Sequence, residues 1–136
     1  MLAMRKLRLV VGLTCLVAGV PALSVGLGPL SKEGVTGSAA KAFYLTLLNP
    51  YDEPRSFKAR GYDLDGHMLE RVQVRPSTIR MAANSERRII VIARGLEPGE
   101  DFTFRVCAEQ AGPNQGTIHA RVCSRLRARR IGASAT

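Results

Sequence analysis

Cysteine and arginine are the residue types whose spacing in this chain points to chemistry. Cys107 and Cys123 lie on two strand-like stretches, 102–109 and 117–127, joined by the turn sequence AGPNQG at 111–116. A turn centred on Gln115 sets Cys107 directly opposite Cys123, close enough for a disulfide. The same register sets Glu109 opposite Arg121, a pair of opposite charge, and Phe104 opposite Leu126 on the other face. It also sets Arg105 opposite Arg125, with Arg121 and Arg127 flanking them on the same polar face. Facing arginines repel unless an anion or solvent separates them. Guanidinium forks grip carboxylate and phosphate in bidentate fashion, so Arg105, Arg121, Arg125 and Arg127 form a candidate site for a protein subunit or an anion. The alternative is a solvated basic face that serves solubility alone.

Other reactive residue types lack the company that catalysis requires. His67 follows a turn and His119 lies on the hairpin, and neither has a second histidine or a nucleophile at a telling distance. Asp63, Asp65 and Gly66 echo a fragment of a calcium loop, but the closing glutamate is missing and a plain turn accounts for them. No glycine-rich phosphate loop follows a strand, and no cysteine–histidine set has zinc spacing. The expectation is a protein that is not an enzyme, with no metal and no cofactor.

A disulfide requires an oxidising compartment, and the N-terminus has the layout of an export signal. Arg5, Lys6 and Arg8 precede an apolar run at 9–20, and Val20-Pro21-Ala22 supplies the small-residue cleavage pattern. That apolar run is too short to span a bilayer, so an integral membrane protein is not expected. Residues 1–22 are thus read as a signal peptide cleaved near Ala22, taking Cys15 with it and leaving one even cysteine pair. The formal charge of +9 falls to about +6 once those three basic residues leave. The remaining chain of about 114 residues suffices for one core. Residues 23–130 are read as that single domain and 131–136 as a frayed tail.

The elements that must position the hairpin read as strands. Apolar residues recur with a period of two, and turn residues interrupt them every eight to twelve residues or so. The stretch 42–48 alternates Phe43, Leu45 and Leu47 against Tyr44 and Thr46, then stops at a turn with two prolines. Strands are expected next at 55–62 and, after the Asp63–Gly66 turn, at 68–74 with Met68, Val72 and Val74 on one face. A short strand at 79–81 follows, and 87–93 is apolar enough for a buried central strand. About seven strands in one small domain predict an all-β, immunoglobulin-like sandwich. The cysteines are too close in sequence to pin two sheets together, so the bridge is expected to clip one hairpin.

The order of these segments resembles the N-terminal immunoglobulin-like domain of periplasmic pilus (fimbrial) assembly chaperones. The likeness rests on FYLTLLNP at 43–50 with Asp52-Glu53-Pro54, then on Val74-Arg75-Pro76-Ser77, Ile89-Ile90-Val91-Ile92 and DFTFRV at 101–106. It covers most of the exported chain. The resemblance implies a periplasmic chaperone-like protein that works without ATP and binds a pilus or surface-structure subunit by lending it a strand. In that family basic residues in a cleft hold the subunit's terminal carboxylate, an arginine near the first strand and a lysine on the last. Here 23–30 contains no arginine, and the last strand offers Arg121, Cys123 and Arg125. The family has two domains where one is expected here. The other readings are a structural envelope module and a protein that binds an anionic envelope polymer, lipid or polysaccharide. Nucleic acid is not expected as a partner of an exported chain with four Phe, three Tyr and no Trp.

Overall fold

The computed structural model describes residues 25–112 and 120–132, and every element among them is a strand. In chain order these are β1 (Gly26–Gly28), β2 (Ser31–Thr36), β3 (Lys41–Leu48), β4 (Arg55–Tyr62), β5 (Val72–Arg75), β6 (Thr78–Met81), β7 (Glu86–Ala93), β8 (Asp101–Gln110) and β9 (Arg121–Arg130). They form two sheets packed face to face, one ordered β1-β3-β7-β5 and the other β2-β9-β8-β4-β6. This is the immunoglobulin-like sandwich expected from the alternation. The signal-peptide reading of 1–22, the centre of the 111–116 turn and His119 lie outside the described residues.

Period-two alternation builds the core directly. Phe43, Leu45 and Leu47 of β3 and Ile89 and Val91 of β7 point inward from the first sheet. Phe57 and Ala59 of β4, Phe104, Val106 and Ala108 of β8, and Leu126 and Ala128 of β9 meet them from the second. Phe43 and Phe104 touch edge-on across the gap, with ring centroids 6.2 Å apart at 66°. That geometry suits the ring quadrupoles and ties the layers at their centre. The apolar run on β7 is an interior strand, with β3 on one side and β5 on the other.

Where β3 ends, a fully buried Asn49 closes the sandwich. Its Nδ2 donates to the carbonyls of Glu53 at 3.1 Å, Ala82 at 3.0 Å and Met81 at 3.4 Å, and its Oδ1 accepts the Tyr51 N–H at 3.1 Å. One side chain therefore joins the turn after β3 to the turn after β6.

Two expectations need correction. Nine strands among the described residues replace about seven, because β1 and β2 were not legible: Gly26, Gly28 and Gly34, with Lys32 and Glu33, hide any apolar alternation there. The strand expected at 68–74 is confined to Val72–Arg75. Met68 forms only a single bridge to Tyr62 and is 66% exposed, apart from Val72 and Val74 in the core. After a turn at 70–71 the chain leaves β4 and joins the opposite sheet, next to β7. The crossing brings Val72 against Gly61, where a Cβ would stand 2.4 Å from Val72 Cγ1. A glycine at 61 is what the close approach requires.

Candidate binding site on the last hairpin

The register read from the sequence is the register of the β8–β9 hairpin. Cys107 faces Cys123, Glu109 faces Arg121, Arg105 faces Arg125 and Phe104 faces Leu126. A disulfide joins Cys107 to Cys123 within this one sheet, as fits an oxidising compartment. Their Cα atoms are 4.0 Å apart, the narrow kind of antiparallel pair. In such pairs each residue's own N–H and C=O point away from the facing strand. The backbone polar groups of Arg121, Cys123 and Arg125 thus point outward along the free side of β9. The Arg125 N–H confirms this by donating to the Leu30 carbonyl at 2.8 Å.

That free side is only half covered. β2 runs parallel to β9 from Ser31 beside Arg125 to Thr36 beside Arg130. Upstream of Ser31 the chain departs into the first sheet, where β1 pairs with β3. The parting is marked by the Ser124 hydroxyl, which donates to the Pro29 carbonyl at 2.6 Å. Along 121–124 the edge of β9 has no neighbouring strand among the described residues. Unpaired edge groups of this kind are a template for another strand.

The four arginines do not form one uniform patch. Arg127 is neutralised: its Nε donates to Asp101 at 2.8 Å, and its Nη1 lies 3.6 Å from Glu33. The Asp101 contact raises the Arg127 pKa, and Arg127 in turn holds the Asp101 carboxyl below its ordinary value. Arg121 does not pair with the facing Glu109, whose carboxylate goes to Lys58 of β4 at 3.1 Å. The Arg121 guanidinium lies instead over the Tyr62 ring, 4.3 Å from its centroid. Arg105 and Arg125 are both exposed, and neither joins any ion pair among the described residues. The uncompensated charge therefore centres on Arg105 and Arg125. Shallow depressions flank the pair, one lined by Tyr62, Arg121 and the two cysteines, the other by Ser31, Glu33, Asp101 and Thr103.

Sequence reasoning missed Tyr62, Lys58, Asp101 and Glu33 as partners of this row. Only the β4–β8 and β2–β9 registers bring the first two and the last to it, and those pairings are set by distant parts of the chain. Asp101 was within reach, since it faces Arg129 and neighbours Arg127 on the hairpin already read. The outer face also explains the cysteines. Although Cys107 lies on the polar side, it is 5% exposed. It lies between the strand bearing Cys123 and the strand bearing Arg60.

Asp63, Asp65 and His67 come together at the β4 turn with side-chain ligand atoms within 4.8 Å of one another. The Asp63 carboxylate accepts the Asp65 and His67 N–H groups, both at 2.9 Å. These bonds hold the Asp63 carboxyl below its usual value, the His67 N–H contributing most. That is the work of a turn, in agreement with the sequence reading.

No protein-family model matches the sequence, and no curated protein matches it. Similarity appears in three dimensions. The E. coli chaperone DraB superposes with a TM-score of 0.65 at 19% identity, over 82% of this chain and 57% of that one. A Salmonella enterica complex of SafA pilin with the SafB chaperone gives 0.66 at 19% identity, over 87% and 59%. The PapD-like domain 7 of human CEP192 gives 0.64 at 14% identity, over 97% of this chain and 99% of the domain. The chain thus spans less than two thirds of the bacterial proteins it matches. Its fold is the PapD-like immunoglobulin sandwich found in the periplasmic pilus chaperones.

Proposed function

We propose that this protein is a non-enzymatic, periplasmic chaperone-like protein. It binds a subunit of a pilus or other surface structure that adds a strand to the open edge of β9, with the hairpin arginines as accessory contacts. The observation that carries this reading is the half-covered edge. β2 ends its pairing at Arg125 and, among the described residues, leaves the outward N–H and C=O groups at Arg121 and Cys123 without a neighbouring strand. An edge of that kind takes up an extended segment by main-chain hydrogen bonding. The fold supports the reading, because solved structures that superpose on this chain include chaperones in complex with a pilin and with a tip adhesion subunit. The disulfide supports export, since it forms in an oxidising compartment and holds β9 against β8 beside the edge. The Leu9–Val20 run and cleavage near Ala22 supply the route.

The test is capture from an envelope extract by the wild-type protein and by an Arg121→Pro variant, with bound protein identified by mass spectrometry. Proline at 121 removes one outward N–H without touching a bond to β8, at the first residue of the strand where proline is tolerated. Recovery of a pilus or surface-structure subunit by the wild type, and its loss in the variant, supports the proposal. Equal recovery by both refutes strand addition at this edge.

A further inference from the structure

A strand already lying on β9 indicates what the open part of the edge accepts. β2 places Glu33 beside Arg127 in parallel register, and the two side chains pair across the edge at 3.6 Å. Two residues earlier β2 places Ser31 beside Arg125, and no carboxylate reaches that arginine among the described residues. Upstream of Ser31 the chain leaves for the first sheet, and no strand lies beside 121–124 among the described residues. The outward row of β9 therefore runs Arg121, Cys123, Arg125, Arg127, Arg129, and within it the acids pair with Arg127.

Resting on the strand-addition reading above, we infer that the segment which docks along 121–124 is acidic. It carries aspartate or glutamate at every second position on the outer face of the sheet, continuing the pattern that Glu33 begins. Three observations carry this. Arg105 and Arg125 face each other in a narrow pair, and neither has an ion-pair partner among the described residues, so an arriving carboxylate relieves a repulsion as well as forming a bond. Arg121 lies over the Tyr62 ring, 4.3 Å from its centroid, and no carboxylate pairs with it among the described residues, so its guanidinium donors remain for an arriving one. An apolar row would find little on this face, because Leu126 and Ala128 point into the core and Val122 packs against it. The partner's alternate residues, turned toward Val122, are the apolar ones.

The inference is tested with the full exported protein and two labelled strand-forming peptides by fluorescence anisotropy. One peptide has glutamate at every second position and the other has glutamine there. The glutamate peptide is expected to bind about tenfold more tightly, as two partly exposed ion pairs allow, and to lose most of that advantage at high salt. An Arg105→Ser, Arg121→Ser, Arg125→Ser triple variant should bind both peptides alike. An Arg125→Glu variant should prefer a third peptide with lysine at those positions, a gain that a misfolded protein cannot produce. Equal binding of the glutamate and glutamine peptides to the wild type overturns the inference, as does binding of neither. Dextran sulfate that binds as tightly as the glutamate peptide also overturns it, because the surface then recognises polyanions without regard to strand form. Equal binding of the two peptides leaves the strand-addition reading itself standing, since that reading is tested separately by capture with the Arg121→Pro variant.

Discussion

Removing the Cys107–Cys123 bridge is the perturbation whose size the structure specifies most directly. The two cysteines are 16 residues apart in sequence. In the chain-entropy model, closing a loop of about 16 residues restricts the unfolded chain by about 3 kcal/mol at 25 °C. For a domain of about 100 residues each kcal/mol moves the melting midpoint by about 4 °C, so the bridge is worth about 12 °C. The assay is thermal unfolding by circular dichroism of the oxidised protein, the same protein in reductant, and a Cys107→Ala, Cys123→Ala double variant. The bridge acts on the unfolded chain, so reduction should also raise the urea m-value slightly while leaving the native spectrum unchanged. The cysteines already face each other in a hairpin whose core side is locked by Phe104 and Leu126, so native packing should survive. A midpoint that moves by less than about 3 °C refutes this reasoning. It would mean that the unfolded hairpin already holds the two strands together.

Replacing Asn49 by alanine should cost about 2–4 kcal/mol in urea unfolding, because three carbonyl contacts and one N–H contact lose their buried partner together. Gly61→Ala should cost about 1–3 kcal/mol by driving a methyl group into Val72, and a Gly61→Ala, Val72→Ala double variant should cost less than the sum of the two single losses. The acid limb of the stability curve should be shaped in part by Glu100. Arg71 holds its carboxyl below the ordinary value near 4.5, and the Glu97 N–H adds to this. A depressed folded-state pKa contributes stability that is complete above the unfolded value and fades as pH falls through the folded one. Glu100→Gln should therefore lower stability at pH 7, with a penalty that shrinks below about pH 4 in urea titrations.

The hairpin and the core were legible because local pattern decides them. Cys107, Glu109, Phe104 and Arg105 find their partners through one turn, and the alternation of 42–48 and 87–93 assigns each side chain to a face. What was not legible depends on pairings between distant segments. Nothing near Glu33 announces a parallel strand beside Arg127, yet that pairing both neutralises Arg127 and marks where the edge becomes free. Nothing near Tyr62 announces that it ends up under Arg121. The expected hairpin at 68–74 failed for a related reason. Asp63 to Gly66 does turn the chain, but burial of Val72 and Val74 in the opposite sheet outweighs continued pairing with β4.

The central claim is that a partner adds a strand to β9 where β2 leaves it. Amide hydrogen exchange on the captured complex addresses this most directly. The N–H groups of Arg121 and Cys123 exchange freely in the isolated protein if no strand covers them, and a docked strand should slow both by at least about tenfold. Protection that appears instead at the edges formed by β5 or β6, with Arg121 and Cys123 unchanged, would contradict the claim.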